Sequence, residues 1–170
     1  MDIKWVALAY NIPGGSSKSR VYVWRKLRDM GAEYFKSGVA ILPQTGENIQ
    51  RFRQLLRSIE EAGGSGTLVE LRFLEEQAEQ RMVQQFDEQA RSGYGRVIAH
   101  GLELFRPERP APAGQKELRR LQRELRQAHE NDYFGSGLTG ELRRGLDLLM
   151  RSAGESIHAF EDTLREILDK

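Results

Sequence analysis

Apolar and polar positions along this 170-residue chain follow two periods, and the places where one gives way to the other mark its elements. Residues 4–10, Lys-Trp-Val-Ala-Leu-Ala-Tyr, are almost wholly apolar without alternation, the pattern of a central strand covered on both faces. Residues 11–17 form a turn whose serines suit a helix N-terminus. Over about 17–30, Val21, Trp24 and Leu27 recur every three residues, which predicts a helix burying that stripe. Gly31 closes it, because glycine enters the left-handed conformation at low cost. Residues 33–37 read as extended, Gly38 as a tight turn, and residues 39–42 as a short apolar strand ended by Pro43. A second helix opens over 44–48 and carries Ile49, Phe52, Leu55, Leu56 and Ile59 on one face before the glycines of 63–66 stop it. Thr67, Val69, Leu71 and Phe73 then alternate with Glu70 and Arg72, as in a strand with one wet face.

Strands one and three read as central, two and four as edges, which is what a βαββαβ chain with strand order 4-1-3-2 requires. The expected class is therefore α+β, a ferredoxin-like domain over 1–74 followed by a C-terminal helical region. Because the first strand is apolar on both sides, the sheet face away from the two helices must be covered by later helices or by a second subunit. Residues 75–105 read as a helical extension with Met82, Val83 and Phe86 as its sparse contacts, and Ser92-Gly93-Tyr94-Gly95 as a kink or stop within it. Residues 106–114 hold three of the five prolines and read as an extended linker. Residues 115–170 read as C-terminal helices over about 116–128 and 139–169.

Composition narrows the chemistry. The chain has no cysteine, which excludes disulfides, thiolate catalysis, iron–sulfur clusters and zinc fingers. Basic residues number 26 against 25 acidic, so the chain is not coated for nucleic acid, although a local basic face is open to it. Charged residues make up 30% and mean hydropathy is −0.60, values that fit a large helical surface. The first residues lack a signal-peptide pattern and no apolar run is long enough for a bilayer, so a cytoplasmic protein with no membrane role is expected.

Basic side chains cluster on the first helix: Lys18, Arg20, Arg25, Lys26 and Arg28. Such a group suits DNA phosphates, or a tetrahedral oxyanion gripped by bidentate guanidinium groups; the plain alternative is a solvated helix face. Arg51, Arg53 and Arg57 sit on the second helix and are expected to join the first group, since both helices lie on one side of the sheet. Arg119, Arg120, Arg123 and Arg126 are interleaved with Glu117 and Glu124, a pattern of intrahelical ion pairs. Asp132-Tyr133-Phe134-Gly135 reads as a helix–helix corner with its aromatics in the core and Asp132 capping. His100, His129 and His158 share no metal-ligand spacing, and no catalytic motif, cofactor fingerprint or P-loop is present. Residues 13–17 offer a glycine-rich turn before a helix, better suited to capping than to holding an anion.

The spacing Arg20-x3-Trp24-Arg25-x-Leu27-x3-Gly31-Ala32-x4-Ser37-x-Val39-x2-Leu42-Pro43 resembles the N-terminal domain of ChrB, the bacterial chromate-resistance regulator. Ile12-Pro13 after the first strand and Gly63-Gly64 before the last one fit the same pattern, and Asn131-Asp132-Tyr133-Phe134-Gly135 is similar to that family's Arg-Asp-[Phe/Tyr]-Phe-Gly. One departure is Asn131 where arginine is expected, and a stand-alone relative without the additional C-terminal domain of larger ChrB proteins is the expectation. A weaker likeness, in helix–turn–hairpin pattern only, extends to phenylacetate-type repressors and small CRISPR adaptation nucleases. Tyr10 and Asn11 stand where those nucleases place an acidic metal ligand, which disfavours nuclease activity.

The resemblance implies a transcriptional regulator or accessory of the chromate-resistance type, binding DNA through Lys18, Arg20, Arg25, Arg28, Arg51, Arg53 and Arg57 with chromate or a similar oxyanion as effector, and needing no cofactor. The alternative is a non-enzymatic interaction module that forms a homodimer or larger homo-oligomer; an enzyme has the least support. Trp24 is expected to be buried against the sheet, with its removal costing roughly 3–5 kcal/mol. Arg20 is expected at the helix entrance, near the Gly14-Gly15 turn, serving binding rather than stability.

Overall fold

The computed structural model describes residues 3–14, 17–106, 108 and 114–153. Its elements are β1 (Trp5–Asn11), α1 (Ser17–Asp29), β2 (Glu33–Lys36), β3 (Val39–Pro43), α2 (Gly46–Glu61), β4 (Ser65–Leu71), α3 (Glu76–Leu104), α4 (Gln115–Glu130) and α5 (Gly140–Ala153). They form two compact units, Met1–Gln85 and Phe86–Lys170, and α3 runs from the first into the second.

The first unit is a four-stranded antiparallel sheet of order β2-β3-β1-β4, with two helices. The two most apolar strands, β1 and β3, lie in the middle, where both of their faces are removed from water. Register follows from alternation. Val6, Leu8 and Tyr10 share a face with Leu42, Ala40, Leu68 and Gly66. α2 covers this face: a Cβ placed on Gly66 would stand 2.9 Å from Leu56 Cδ1. Buried Phe52, Leu55 and Ile59 of α2 and Val23 and Leu27 of α1 form the helical side of the unit, and the two helices touch.

Trp5, Ala7 and Ile41 lie on the opposite face and are fully buried, so this face is covered at its centre. Trp5 packs edge-on against Phe73 (5.7 Å between ring centroids), and Phe73 packs edge-on against Phe35 (5.6 Å). The indole Nε1 of Trp5 donates to Glu79 Oε1 on α3 at 3.0 Å, a buried bond across 74 residues of chain. The bond gives the buried indole N–H an acceptor and the Glu79 carboxyl a donor, so neither group leaves water unpaired. Coverage fades toward the start of β4, where Thr67 and Val69 are exposed although they continue the same apolar alternation.

The start of α2 shows how polar residues serve this unit. Thr45 caps it, its Oγ1 accepting from Asn48 N at 3.0 Å. Asn48 is buried and donates through Nδ2 to the Pro43 carbonyl at 2.9 Å, joining helix to strand. A buried amide is tolerated because its hydrogen bonds are made.

In the second unit, Tyr94, Val97 and Leu104 of α3, Leu121 and Leu125 of α4, and Leu146 and Leu149 of α5 share one core. Of the kink or stop expected at Ser92-Gly93-Tyr94-Gly95, the stop does not occur: α3 is continuous over 29 residues. Gly93 and Gly101 serve packing, whereas a Cβ on Gly95 would meet nothing within 4 Å. A Cβ on Gly93 would lie 3.4 Å from Ala128 Cβ, and one on Gly101 would lie 2.5 Å from Leu149 Cδ1. A glycine in mid-helix costs about 1 kcal/mol against alanine, which close packing against neighbouring helices offsets. The corner between α4 and α5 agrees only in part with the reading of Asp132-Tyr133-Phe134-Gly135: Tyr133 and Phe134 pack edge-on against Phe86, at 5.8 and 5.9 Å between centroids, but both are half-buried, and the C-cap of α4 is Asn131. Asp132 Oδ1 accepts from Gly137 N at 3.0 Å and so closes the turn.

Candidate nucleic-acid interface

α1 does not bury the stripe that its three-residue spacing suggested. Its buried residues are Val23 and Leu27, while Val21, Tyr22 and Trp24 are 43%, 47% and 47% exposed. The reason is geometric. At about 100° per residue, each three-residue step slips some 60° around the helix, so Val21, Trp24 and Leu27 spread over roughly 120°. Val23 and Leu27, four apart, differ by only about 40° and take the sheet-facing side.

The outward side of α1 is thus aromatic and basic together. Arg28 stacks over the Trp24 ring at 4.8 Å and Lys26 over Tyr22 at 5.7 Å. Lys18, Arg20 and Arg25 are exposed as well, so the Trp24 ring stands among cations rather than in the core. The helix has five basic residues and one acidic, Asp29, which lies 3.7 Å from Arg28 at the C-terminal end. Cation–π stacking holds a guanidinium near a ring while leaving its N–H groups free for an anion.

α2 differs. It has three basic residues, Arg51, Arg53 and Arg57, against three acidic, Glu47, Glu60 and Glu61. Arg51 is half-buried and pairs with Glu47 at 2.9 Å, whereas Arg53 and Arg57 are exposed. The α1 cations are legible in the sequence, whereas Trp24 is expected in the core and Tyr22 stands out by no pattern. The four-residue spacing of Val23 and Leu27 was the available signal for the true orientation.

A second polar cluster lies in the helical unit. Glu124 receives Arg120 Nε at 2.8 Å and faces His100 Nδ1 at 2.6 Å. Burial alone would raise the Glu124 pKa; the hydrogen bonds from Arg120 and His100 outweigh it and hold the carboxyl below its usual range. Arg120 and Glu124 are thus the ion pair expected of α4, while Glu117 Oε2 also accepts from Gly114 N and caps that helix. Tyr94 is fully buried, its hydroxyl 3.2 Å from His129 Nδ1 and 3.5 Å from Asp132 Oδ2. Burial, then the neighbouring Asp132 carboxylate, pushes the Tyr94 pKa upward and keeps the phenol neutral. This cluster ties the α4–α5 corner to α3. His158 lies outside the described residues, as do Gly15 and Ser16 of the glycine-rich turn and most of the proline-rich stretch. Among the described residues, no group of three His, Cys, Asp or Glu side chains is placed to hold a metal, and no helix is long and apolar enough to cross a membrane.

Residues 20–105 match the family model for protein ChrB, N-terminal. The chain belongs to the ChrB N-terminal family. No curated protein and no solved structure matches it. The ChrB segment opens within α1 and closes just past the end of α3, so it includes the 75–105 stretch and leaves out Asn131-Asp132-Tyr133-Phe134-Gly135. Within it, the residues of the ChrB-like spacing divide in two. Leu27, Gly31, Ala32 and Leu42 are buried, Gly31 with φ 65°, and their identities follow from packing and backbone geometry. Arg20, Trp24 and Arg25 are exposed, and packing does not dictate them. ChrB membership makes the chain a chromate-resistance-associated protein.

Proposed function

We propose that this chain is a cytoplasmic ChrB-like regulator, or accessory to one, that engages DNA through the outer face of α1. The observation that carries the proposal is the exposure of Trp24 and Tyr22 among Lys18, Arg20, Arg25, Lys26 and Arg28. Cations supply phosphate affinity and an exposed ring supplies a contact that plain solvation does not call for. In this reading the exposed Arg53 and Arg57 of α2 add to the surface, and Arg51, bound to Glu47, contributes least. Its antiparallel βαββαβ unit belongs, in this reading, to the ferredoxin-like class. Chromate, or a similar oxyanion, acts by binding the DNA-free and DNA-bound forms unequally, through the guanidinium groups that phosphate would otherwise occupy.

A gel-shift series with the DNA upstream of the chain's own gene, over increasing salt and with or without chromate, tests this. Retarded complexes at low ionic strength that weaken steeply with salt, and that Arg25→Ala with Arg28→Ala abolishes, are expected. Absence of binding at low salt, or binding indifferent to salt, overturns the nucleic-acid role. Binding that chromate leaves unchanged overturns the effector role alone.

A further inference from the structure

The two edges of the sheet are built differently. β2 is four residues long, carries Glu33 and Lys36 at its ends, and shifts register between Tyr34 and Lys36. Shortness, charge and a bulge are the usual protections of an edge against pairing with another strand. β4 has little of this protection. All seven of its residues hold unbroken register with β1, it contains no proline, and Glu70 is its one charge.

The direction of its outward groups follows from β1. Tyr10 N donates to Gly38 O and Lys4 O accepts from Gln44 N, so the even-numbered residues of β1 turn their backbone groups toward β3. The odd-numbered residues therefore turn toward β4, where Trp5, Ala7, Ala9 and Asn11 oppose Leu71, Val69, Thr67 and Ser65. Gly66, Leu68 and Glu70 are left pointing their N–H and C=O groups away from the sheet. Among the described residues, these groups have no backbone partner.

We infer that β4 is the interface for a second copy of this chain, pairing antiparallel with its own equivalent about a two-fold axis at Leu68. This surface is separate from α1 and does not depend on the nucleic-acid reading. A centre at Leu68 makes the register self-complementary. Gly66 of each copy stands opposite Glu70 of the other, Leu68 opposite Leu68, and Thr67 opposite Val69. The outward groups then bond one another, no like charges meet within the strand, and the 42%-exposed Val69 gains a neighbour. The sheet becomes eight-stranded and continuous, with only the protected β2 edges left open.

The register itself supplies the test. Thr67→Lys with Val69→Lys puts lysine opposite lysine twice around the axis, while Thr67→Lys with Val69→Glu puts lysine opposite glutamate. Both positions are exposed, so neither pair of changes enters the core. Light scattering on the full chain is expected to give twice the 19.5 kDa of one chain for the parent and the lysine–glutamate variant, and the single-chain mass for the double-lysine variant. A parent that stays monomeric on concentration, a folded double-lysine variant that stays dimeric, or a folded lysine–glutamate variant that is monomeric would each overturn the interface as drawn. Amide hydrogen exchange on the unmodified chain decides the matter without any variant. Protection at Gly66, Leu68 and Glu70 should rise with protein concentration while that at Thr67 and Val69, already bonded to β1, stays constant. Unchanged exchange at the first three excludes the pairing.

Discussion

The two tryptophans of this chain do opposite work. Trp5 is fully buried, its indole N–H bonded to the buried Glu79 carboxylate, whereas Trp24 is about half exposed beneath Arg28. Trp5→Phe keeps one aromatic ring in place but strips Glu79 of this donor and leaves the space of the second ring unfilled, and should cost about 1–3 kcal/mol. Trp5→Ala adds a cavity and should cost about 3–5 kcal/mol. Trp24→Ala should cost about 1 kcal/mol or less, the scale of an exposed cation–π contact, while weakening DNA retention. Urea denaturation of the three variants beside a gel shift checks all of this. A Trp24→Ala loss as large as that of Trp5→Ala would return Trp24 to the core and remove the basis for the α1 interface.

The long helix α3 and the α4–α5 corner are fitted together at the scale of single methyl groups. A Cβ on Gly137 would stand 2.5 Å from Ala90 Cβ and 3.0 Å from Asp132 Oδ1, neither of them the far end of a flexible chain. Gly137→Ala should therefore destabilise the helical unit by about 1–3 kcal/mol, measured as a lowered melting temperature. Glu124 gives a pH dependence of definite sign. Its folded-state pKa is below the unfolded value, so its contribution is complete above the ordinary glutamate range and disappears as pH falls through the lower folded value. Glu124→Gln should lower the melting temperature at neutral pH, and the gap from the parent should close on acidification. A gap that widens in acid would mean that the Arg120 and His100 bonds do not hold the carboxylate charged.

Across the molecule the formal charge is only +1, yet it is unevenly spread: α1 carries five basic and one acidic residue, a balance of +4, and α2 three of each, a balance of zero. Whole-chain charge therefore hides the feature most relevant to an anionic partner. If α1 is the DNA contact, each phosphate it neutralises steepens the dependence of log affinity on log salt by about 0.9. Removing Arg25 and Arg28 together should flatten that slope by about 2, and removing Arg51, held by Glu47, by much less. Equal effects from α1 and α2 would show that the two helices form a single basic face.

Local pattern was enough for the elements of the first unit. Unbroken apolar runs too short for a buried helix suit a strand covered on both faces, so residues 4–10 and 39–42 read as strands, the first of them central, and β1 and β3 are where the structure has them. The family, too, was legible, because its spacing combines buried and backbone-constrained residues such as Leu27, Gly31 and Leu42 with exposed Arg20 and Trp24. The α1 cations were visible as residue types. Their aromatic company was not: the rotation of a helix against a sheet is a tertiary choice, and α1 turned Val23 and Leu27 inward instead of Val21 and Trp24. Glycine was ambiguous in the same way, since a break and a close helix crossing both require a missing side chain, and only the neighbours Ala128 and Leu149 distinguish them. The bond from Trp5 to Glu79 spans 74 residues, and no local period carries information about so distant a partner. What depends on one strand or one turn of helix was fixed by the order of residues, and what depends on which surfaces meet was decided only when the chain packed.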